Sequence, residues 1–444
     1  MEESNFITAP VEPDSGRLAK NTLWLVAIVG ILGGFLLGYD TAVINGANQY
    51  LKIHFSLDPV HEGMAGASAI FGCIPGAMFA GFLSDYFGRK KLLFVCAILY
   101  AVSGLLSTIP NSFNQFLLAR FISGLGIGAC SMICPVYLTE MAPAAWRGRL
   151  GSLFQFGIVS GIFVSLFINA WIQSHGDDTW NTSAGWRWML GAEIAPTIPL
   201  LACLFFVPES PRWLAQKSGA GTLEITPAAP SDGQSANVFA RRFRRPLLIG
   251  IVLMAISQFS GINAIMYYST KILTTAGVGV KDSFAASAVI GLVNLLFTVV
   301  AMTLVDKAGR RPLLLVGLFV QAVALGAVGW MFYANIHGFG LLLAILGFIA
   351  AFAMALGPIP WILCSEIFPT QVRGRAMSIS TFVIWTSCYI VAQTFPVLND
   401  SPQIGPARTF WIYAIFSVLG FLFTFALVPE TKGRSLQEVG TQFH

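Results

Sequence analysis

The chain has 444 residues, 55% of them hydrophobic and 11% charged, with a formal net charge of +5. A soluble protein carries roughly 25% charged residues, so this composition leaves too little polar surface for a water-soluble fold and indicates an integral membrane protein. Nothing in the charge calls for nucleic acid, and the seven cysteines all fall in apolar stretches without metal-ligand spacing, so they read as small buried hydrophobes.

Residues 1–21 are polar and show no cleavable leader, so the first apolar run is expected to direct insertion. Runs long enough to cross ~30 Å of hydrocarbon follow at 22–46, 61–83, 92–110, 115–140, 148–172 and 187–207. A second six lie at 246–275, 283–305, 312–334, 341–366, 375–398 and 408–428. Twelve spans place both termini and every even-numbered loop on one side, and that side holds 20 of the 26 Lys and Arg residues. Positive charge marks the cytoplasmic face, which predicts that both termini are cytoplasmic and accounts for the net charge. The stretch 217–237, rich in Gly, Ala, Pro, Ser and Thr, reads as a flexible linker. Expected boundaries are a cytoplasmic N-terminus at 1–21, a six-helix bundle at 22–213, a linker at 214–245, a second bundle at 246–428 and a cytoplasmic C-terminus at 429–444.

The two halves carry the same charged marks in the same order. Asp85, Gly88 and Arg89 return as Asp306, Gly309 and Arg310, an offset of 221 residues. Glu140, Arg147, Gly148 and Arg149 return as Glu366, Arg373, Gly374 and Arg375, offset by 226. Pro208 and Glu209, with Arg212 close by, return as Pro429 and Glu430, again offset by 221. A duplicated membrane unit places a solute site between its halves, which is transporter architecture.

More specific marks accompany the repeat. They are Gly38-Tyr39-Asp40 in span 1, Pro208-Glu-Ser-Pro-Arg-Trp213 after span 6, Gln258-Phe-Ser-Gly261-Ile-Asn263 with Tyr267-Tyr268 in span 7, Gly357-Pro-Ile-Pro-Trp361 in span 10 and Pro429-Glu-Thr-Lys-Gly433. Taken together, the chain resembles the sugar porter family of the major facilitator superfamily over nearly its whole length. In the detail of residues 176–196, including Glu193, it is similar to the bacterial xylose–proton symporters. The resemblance implies an all-α membrane protein with twelve transmembrane helices in two pseudo-symmetric six-helix bundles around a central cavity, open to each side in turn.

An ionisable group inside lipid costs ~2.5–3.5 kcal/mol on insertion scales, which makes it a functional candidate. Asp40 in span 1 and Arg120 in span 4 sit at similar depth, so an ion pair between them is feasible. Such a pair can act as a proton switch, because a desolvated carboxylate that loses its guanidinium prefers a proton. The competing reading is a static pair joining two helices. The resemblance favours proton coupling and adds Glu193, either as a residue that tunes the pair or as a hydrogen bond at a helix interface. Sugars require amide hydrogen-bond partners and an aromatic face. Gln155, Gln258, Asn263, Asn294 and Trp361 match the sugar-contacting positions of the family. Gln258 and Asn263 are five residues apart, so both can line one cavity only if span 7 breaks, and Gly261 permits that. Ser257, Ile162 and Ile384 stand where xylose symporters carry amides, so the identity of the sugar does not transfer.

Tyr267 and Tyr268 resemble an outer lid, with an interfacial aromatic belt as the competing reading. Gly357, Pro358 and Pro360 break span 10 and suit a hinge for the inner gate. The repeated charges Asp85, Arg89, Glu140, Arg147, Glu209, Arg212, Asp306, Arg310, Glu366, Arg373 and Glu430 are expected to act as a cytoplasmic lock that pairs across the halves when that side closes. Nucleophile–base arrangements and a Gly-x-x-x-x-Gly-Lys loop are both missing from the sequence, so neither an enzyme nor an ATP-driven pump is expected. The expectation is a proton-coupled importer of a small neutral sugar, a hexose or pentose, with no cofactor or metal, monomeric in the plasma (bacterial inner) membrane. A passive sugar or inositol-like polyol uniporter and a sugar-sensing receptor remain the alternatives.

Overall fold

A computed structural model describes residues 20–143, 146–218, 238–336, 338–369 and 372–432. Most of the expected linker, both chain ends including Gly433, and the side chain of Arg147 lie outside the described residues. The described chain is built from membrane-length helices. Spans 1 to 6 are Lys20–His54, Pro59–Phe87, Arg89–Leu106, Phe113–Met141, Arg147–Ser174 and Asp178–Phe206. Span 7 comprises Arg244–Phe259 and Ile262–Thr275, followed by span 8 at Val280–Ala308 and span 9 at Arg310–Tyr333. Span 10 comprises Phe339–Met354 and Ile359–Ile367, and spans 11 and 12 are Arg373–Asn399 and Gly405–Leu427. Eleven of the twelve are long and apolar enough by composition to cross a membrane. The exception, span 3, has only 18 residues and opens on Arg89, Lys90 and Lys91.

Successive spans alternate in direction, so Lys20 and Lys432 share one end, called here the terminal end; the other is the far end. Span 1 continues as helix well beyond its apolar run and carries Asn48 and Lys52 to the far end. Within the first half, span 1 packs on span 5 and span 2 on span 4, with backbones in near contact. A Cβ at Gly38 would lie 1.9 Å from the Ile158 carbonyl oxygen, and one at Gly124 would lie 1.9 Å from that of Ala69. Small residues at such crossings replace the hydrophobic drive that lipid cannot supply. Spans 2 and 11, and spans 5 and 8, run side by side and join the halves.

The apolar core divides unevenly. One cluster, from Tyr39 and Tyr50 to Tyr268, Phe348 and Phe395, draws on both halves toward the far end. A second, around Val26, Tyr100, Tyr137 and Leu204, is built from the first half, with Trp385 at its border. A third, around Phe243, Leu314, Leu363 and Phe368, belongs wholly to the second half. The halves therefore share a core at the far end and keep separate cores at the terminal end. Cross-half hydrogen bonds follow the same division. Asn45 donates to the Met266 carbonyl at 2.7 Å and to Ser269 Oγ at 2.6 Å, and Gln393 donates to the Val60 carbonyl at 3.0 Å. All of these lie toward the far end.

Two spans are broken where the sequence allows it. Gly261 has φ +87°, a left-handed geometry suited to glycine, and splits span 7 between Gln258 and Asn263. Span 10 breaks between Met354 and Ile359, where Pro358 and Pro360 offer no amide hydrogens and the Gly357 amide reaches back to the Phe352 carbonyl at 3.0 Å.

Candidate functional site

Spans 1, 4 and 6 converge on a buried charged trio. Arg120 donates from one terminal nitrogen to Asp40 Oδ1 and from the other to the Asp40 carbonyl at 3.1 Å. Asp40, Arg120 and Glu193 are each at most 2% exposed. Glu193 is near enough to interact electrostatically with both members of the pair. Asp40 Oδ2, Glu193 Oε1 and Arg120 Nε have no hydrogen-bond partner among the described residues. One buried carboxylate is thus paired with the guanidinium and a second lies within electrostatic reach of both. With both acids ionised the trio carries one net negative charge, and a single proton neutralises it. A charge stripped of water is costly unless compensated, and one added proton would supply that compensation.

The amide set lies nearer the terminal end and partly open. The break at Gly261 turns Asn263 back so that its Nδ2 donates to Gln258 Oε1, while Gln258 Nε2 donates to Ser257 Oγ at 2.9 Å. Gln155 is half-buried and Asn294 is 6% exposed, and neither makes a hydrogen bond among the described residues. Trp361, just past the break in span 10, leaves 37% of its surface open. Ser257 itself is buried and supports Gln258 from behind, while its hydroxyl donates to the Met254 carbonyl at 2.8 Å. Tyr267 and Tyr268 are buried rather than belted at a lipid boundary. The Tyr268 hydroxyl donates to the Ala392 carbonyl at 2.9 Å. It also crowds Gly66 of span 2, where a Cβ would come within 2.2 Å of it.

The repeated charges build one device twice at the terminal end. Arg89 Nε donates to Glu140 Oε2 at 3.0 Å, and Arg310 donates to Glu366 Oε1 at 3.0 Å. Asp85 and Asp306 pair with the same arginines at 3.0 and 3.1 Å. Spans 3 and 9 both start after a glycine with positive φ, Gly88 and Gly309, which has no side chain with which to cap them. Glu209 accepts from the amides of Arg89 and Lys90 at 3.0 and 2.9 Å, and Glu430 from those of Arg310 and Arg311 at 3.2 and 3.1 Å. A carboxylate there satisfies orphan amides and the positive end of the helix dipole. Ser210 and Thr431 complete the match by donating to Glu140 and Glu366, each at 2.5 Å. Arg212 is exposed, and Arg373 Nε donates to the Phe368 carbonyl at 3.1 Å. Among the described residues these bonds stay within each half. Among the described residues the cross-half pairing expected of a closed lock is not made, and the ion pairs Arg89–Glu140 and Arg310–Glu366 each stay inside one half.

This geometry agrees with what the chain is similar to. Residues 26–443 match the family described as "Sugar (and other) transporter". The arabinose–proton symporter of Bacillus subtilis is 39% identical over 436 residues, covering 94% of each chain. The D-xylose–proton symporter of Escherichia coli is 35% identical over 465 residues, with 94% of this chain and 95% of that one covered. An inward-open structure of the E. coli xylose transporter superposes with a TM-score of 0.82 at 34% identity, over 95% of this chain and all of that one. The chain belongs to the sugar porter family of the major facilitator superfamily.

The sequence of this sugar porter singled out Asp40 and Arg120 as intramembrane charges, and the family resemblance added Glu193, Gln258 and Asn263; the structure brings Asp40 to Arg120 and Gln258 to Asn263. The polar residues that join the halves at the far end were missed: Asn45, Lys52, Glu62, Lys271 and Asp400. Each looks like an ordinary polar residue near a span end. The one available signal was Glu62 and Lys271 lying inside helices just where the expected topology keeps charge sparse.

Proposed function

We propose that this chain is a secondary active transporter that imports a monosaccharide, a pentose or hexose, together with a proton by alternating access, working as a monomer. The observation that carries this reading is the trio of two carboxylates and one guanidinium, buried together and neutral only with one added proton. The concentration of basic residues supports placing the terminal end in the cytoplasm, so the parted terminal ends and shared far-end core correspond to an inward-open form. Sugar then binds among Gln155, Gln258, Asn263, Asn294 and Trp361, with Tyr267 and Tyr268 covering it from outside and the break at Gly357, Pro358 and Pro360 hinging the inner side. Sugar-driven movement of span 1 against span 4 loosens Asp40 from Arg120 and lets the carboxylate take a proton, with Glu193 balancing the charge. On this reading, closing the terminal end brings Arg89, Glu140, Arg310 and Glu366 and their neighbours together across the halves. Arabinose, xylose, glucose and galactose, the sugars named for its relatives, are the first substrates to try.

The test is reconstitution into liposomes with labelled sugars and an imposed pH step. Asp40→Asn is expected to abolish uphill accumulation while leaving sugar counterflow in place. Accumulation that survives in this variant, driven by the pH step, overturns the coupling role and leaves a passive sugar or polyol carrier as the better reading.

A further inference from the structure

Four charged side chains close a ring at the far end, and none of them belongs to the trio or the amide set. Lys52 Nζ lies 3.0 Å from Glu62 Oε2 and 3.3 Å from Asp400 Oδ2. Lys271 Nζ lies 2.8 Å from Glu62 Oε1 and 2.9 Å from Asp400 Oδ2. Charges alternate around the ring, so each ammonium bridges two carboxylates and each carboxylate bridges two ammoniums. Asn48 donates to Glu62 Oε1 at 3.1 Å and Asn399 to Asp400 Oδ1 at 2.9 Å, which adds to the satisfaction of both acids. Glu62 is only 1% exposed, so its charge depends on these partners.

The origin of each residue is what gives the ring a purpose. Lys52 and Glu62 come from spans 1 and 2 of the first half, while Lys271 and Asp400 come from span 7 and the end of span 11 in the second. Parting the halves breaks Glu62–Lys271 and Lys52–Asp400 but leaves Lys52–Glu62 and Lys271–Asp400 whole. Each half keeps one acid and one base, so neither conformation strands a charge. The neighbouring cross-half bonds of Asn45 and Gln393 are short-range and neutral. The ring differs from them because ionic attraction reaches about 8 Å at physiological salt and acts while the halves are still approaching.

We infer that Lys52, Glu62, Lys271 and Asp400 form an electrostatic latch that closes the far end and sets the balance between the two open forms. This rests on the alternating-access reading above. Two cross-half pairs favour closure, and the neutrality of each separated half keeps reopening within reach.

Spin labels on cysteines introduced at Thr179 and Gln403, both exposed at the far end, report the separation of the halves by electron–electron resonance. Lys271→Gln and Glu62→Gln are each expected to raise the ratio of open to closed far ends by roughly fivefold or more. The double variant is expected to raise it by less than the product of the two single effects, because both remove one shared contact. If either single variant does not fold, the more exposed pair Lys52→Gln and Asp400→Asn carries the same cycle. Unchanged distances in the single variants, or effects that simply multiply, overturn the latch while wild-type counterflow and sugar-dependent distances still stand. Wild-type protein that shows neither counterflow nor any sugar-dependent distance change overturns instead the transport reading on which the latch depends.

Discussion

Asn263 and Gln258 bond to each other, and this arrangement has a measurable consequence. On the proposed reading each holds the other in place for a substrate hydroxyl, so truncating one loses its own contact and loosens its neighbour. Asn263→Ala is expected to weaken apparent sugar affinity by about 0.5–1.5 kcal/mol, which is about 2- to 13-fold in the KM of counterflow, with the protein still folded. An unaltered KM would remove Asn263 from the sugar path. The five-residue spacing together with Gly261 made this pair legible, because an intact helix would place the two side chains on different faces. The support that Ser257 gives Gln258 was not legible, since a serine at that position reads equally as a lost amide contact. Burial decides between the two, and a single sequence does not carry it.

Spans 3 and 9 begin just after glycines and borrow their caps from residues more than a hundred positions away. Burial works to raise the Glu430 carboxyl, but hydrogen bonds from the amides of Lys432, Arg310, Arg311 and Thr431 hold it below the ordinary glutamate range. A carboxylate with a depressed value stabilises the fold fully above the ordinary glutamate pKa, about 4.3, and loses that contribution as pH falls through the lower folded value. The difference in Tm between wild type and Glu430→Gln is therefore expected to be largest above about pH 5 and to shrink steadily as pH falls below the ordinary glutamate value. Thermal melts in detergent across that range check it, and a difference independent of pH would remove the charge from the explanation. Helix positions were legible from apolar runs to within a turn or so for most spans. Span 1 exceeded its run because polar residues such as Asn48 and Lys52 continue the helix once a protein partner receives them. The start of span 6 at Asp178, with a π-turn at Asn181–Gly185, was likewise hidden in polar sequence.

At the scale of the whole molecule, one shared core and two private ones describe two halves joined at the far end. Gly66 sits on the closing surface against the Tyr268 hydroxyl, leaving no room for a side chain. Gly66→Leu is expected to wedge the far ends apart and to shift the spin-label separation there toward longer distances, with sugar counterflow slowed. A distance distribution like that of the wild type would show that the far end closes elsewhere. The two-half plan was legible because duplication kept Asp85, Arg89, Glu140 and Glu209 in register with Asp306, Arg310, Glu366 and Glu430. How the halves meet was not legible, because the contacts between them involve residues such as Asn45 and Lys271 that have no counterpart in the repeat.

The borrowed caps also bear on how such a molecule is assembled. Glu209 fastens the exit of the sixth span to the start of the third, and Glu430 does the same for the twelfth and the ninth. Each bundle is thereby stitched shut by the residues that follow its sixth span. Two separately translated fragments, divided between Lys217 and Arg241, would arrive with these two stitches in place, ready to dock through the spans that run side by side.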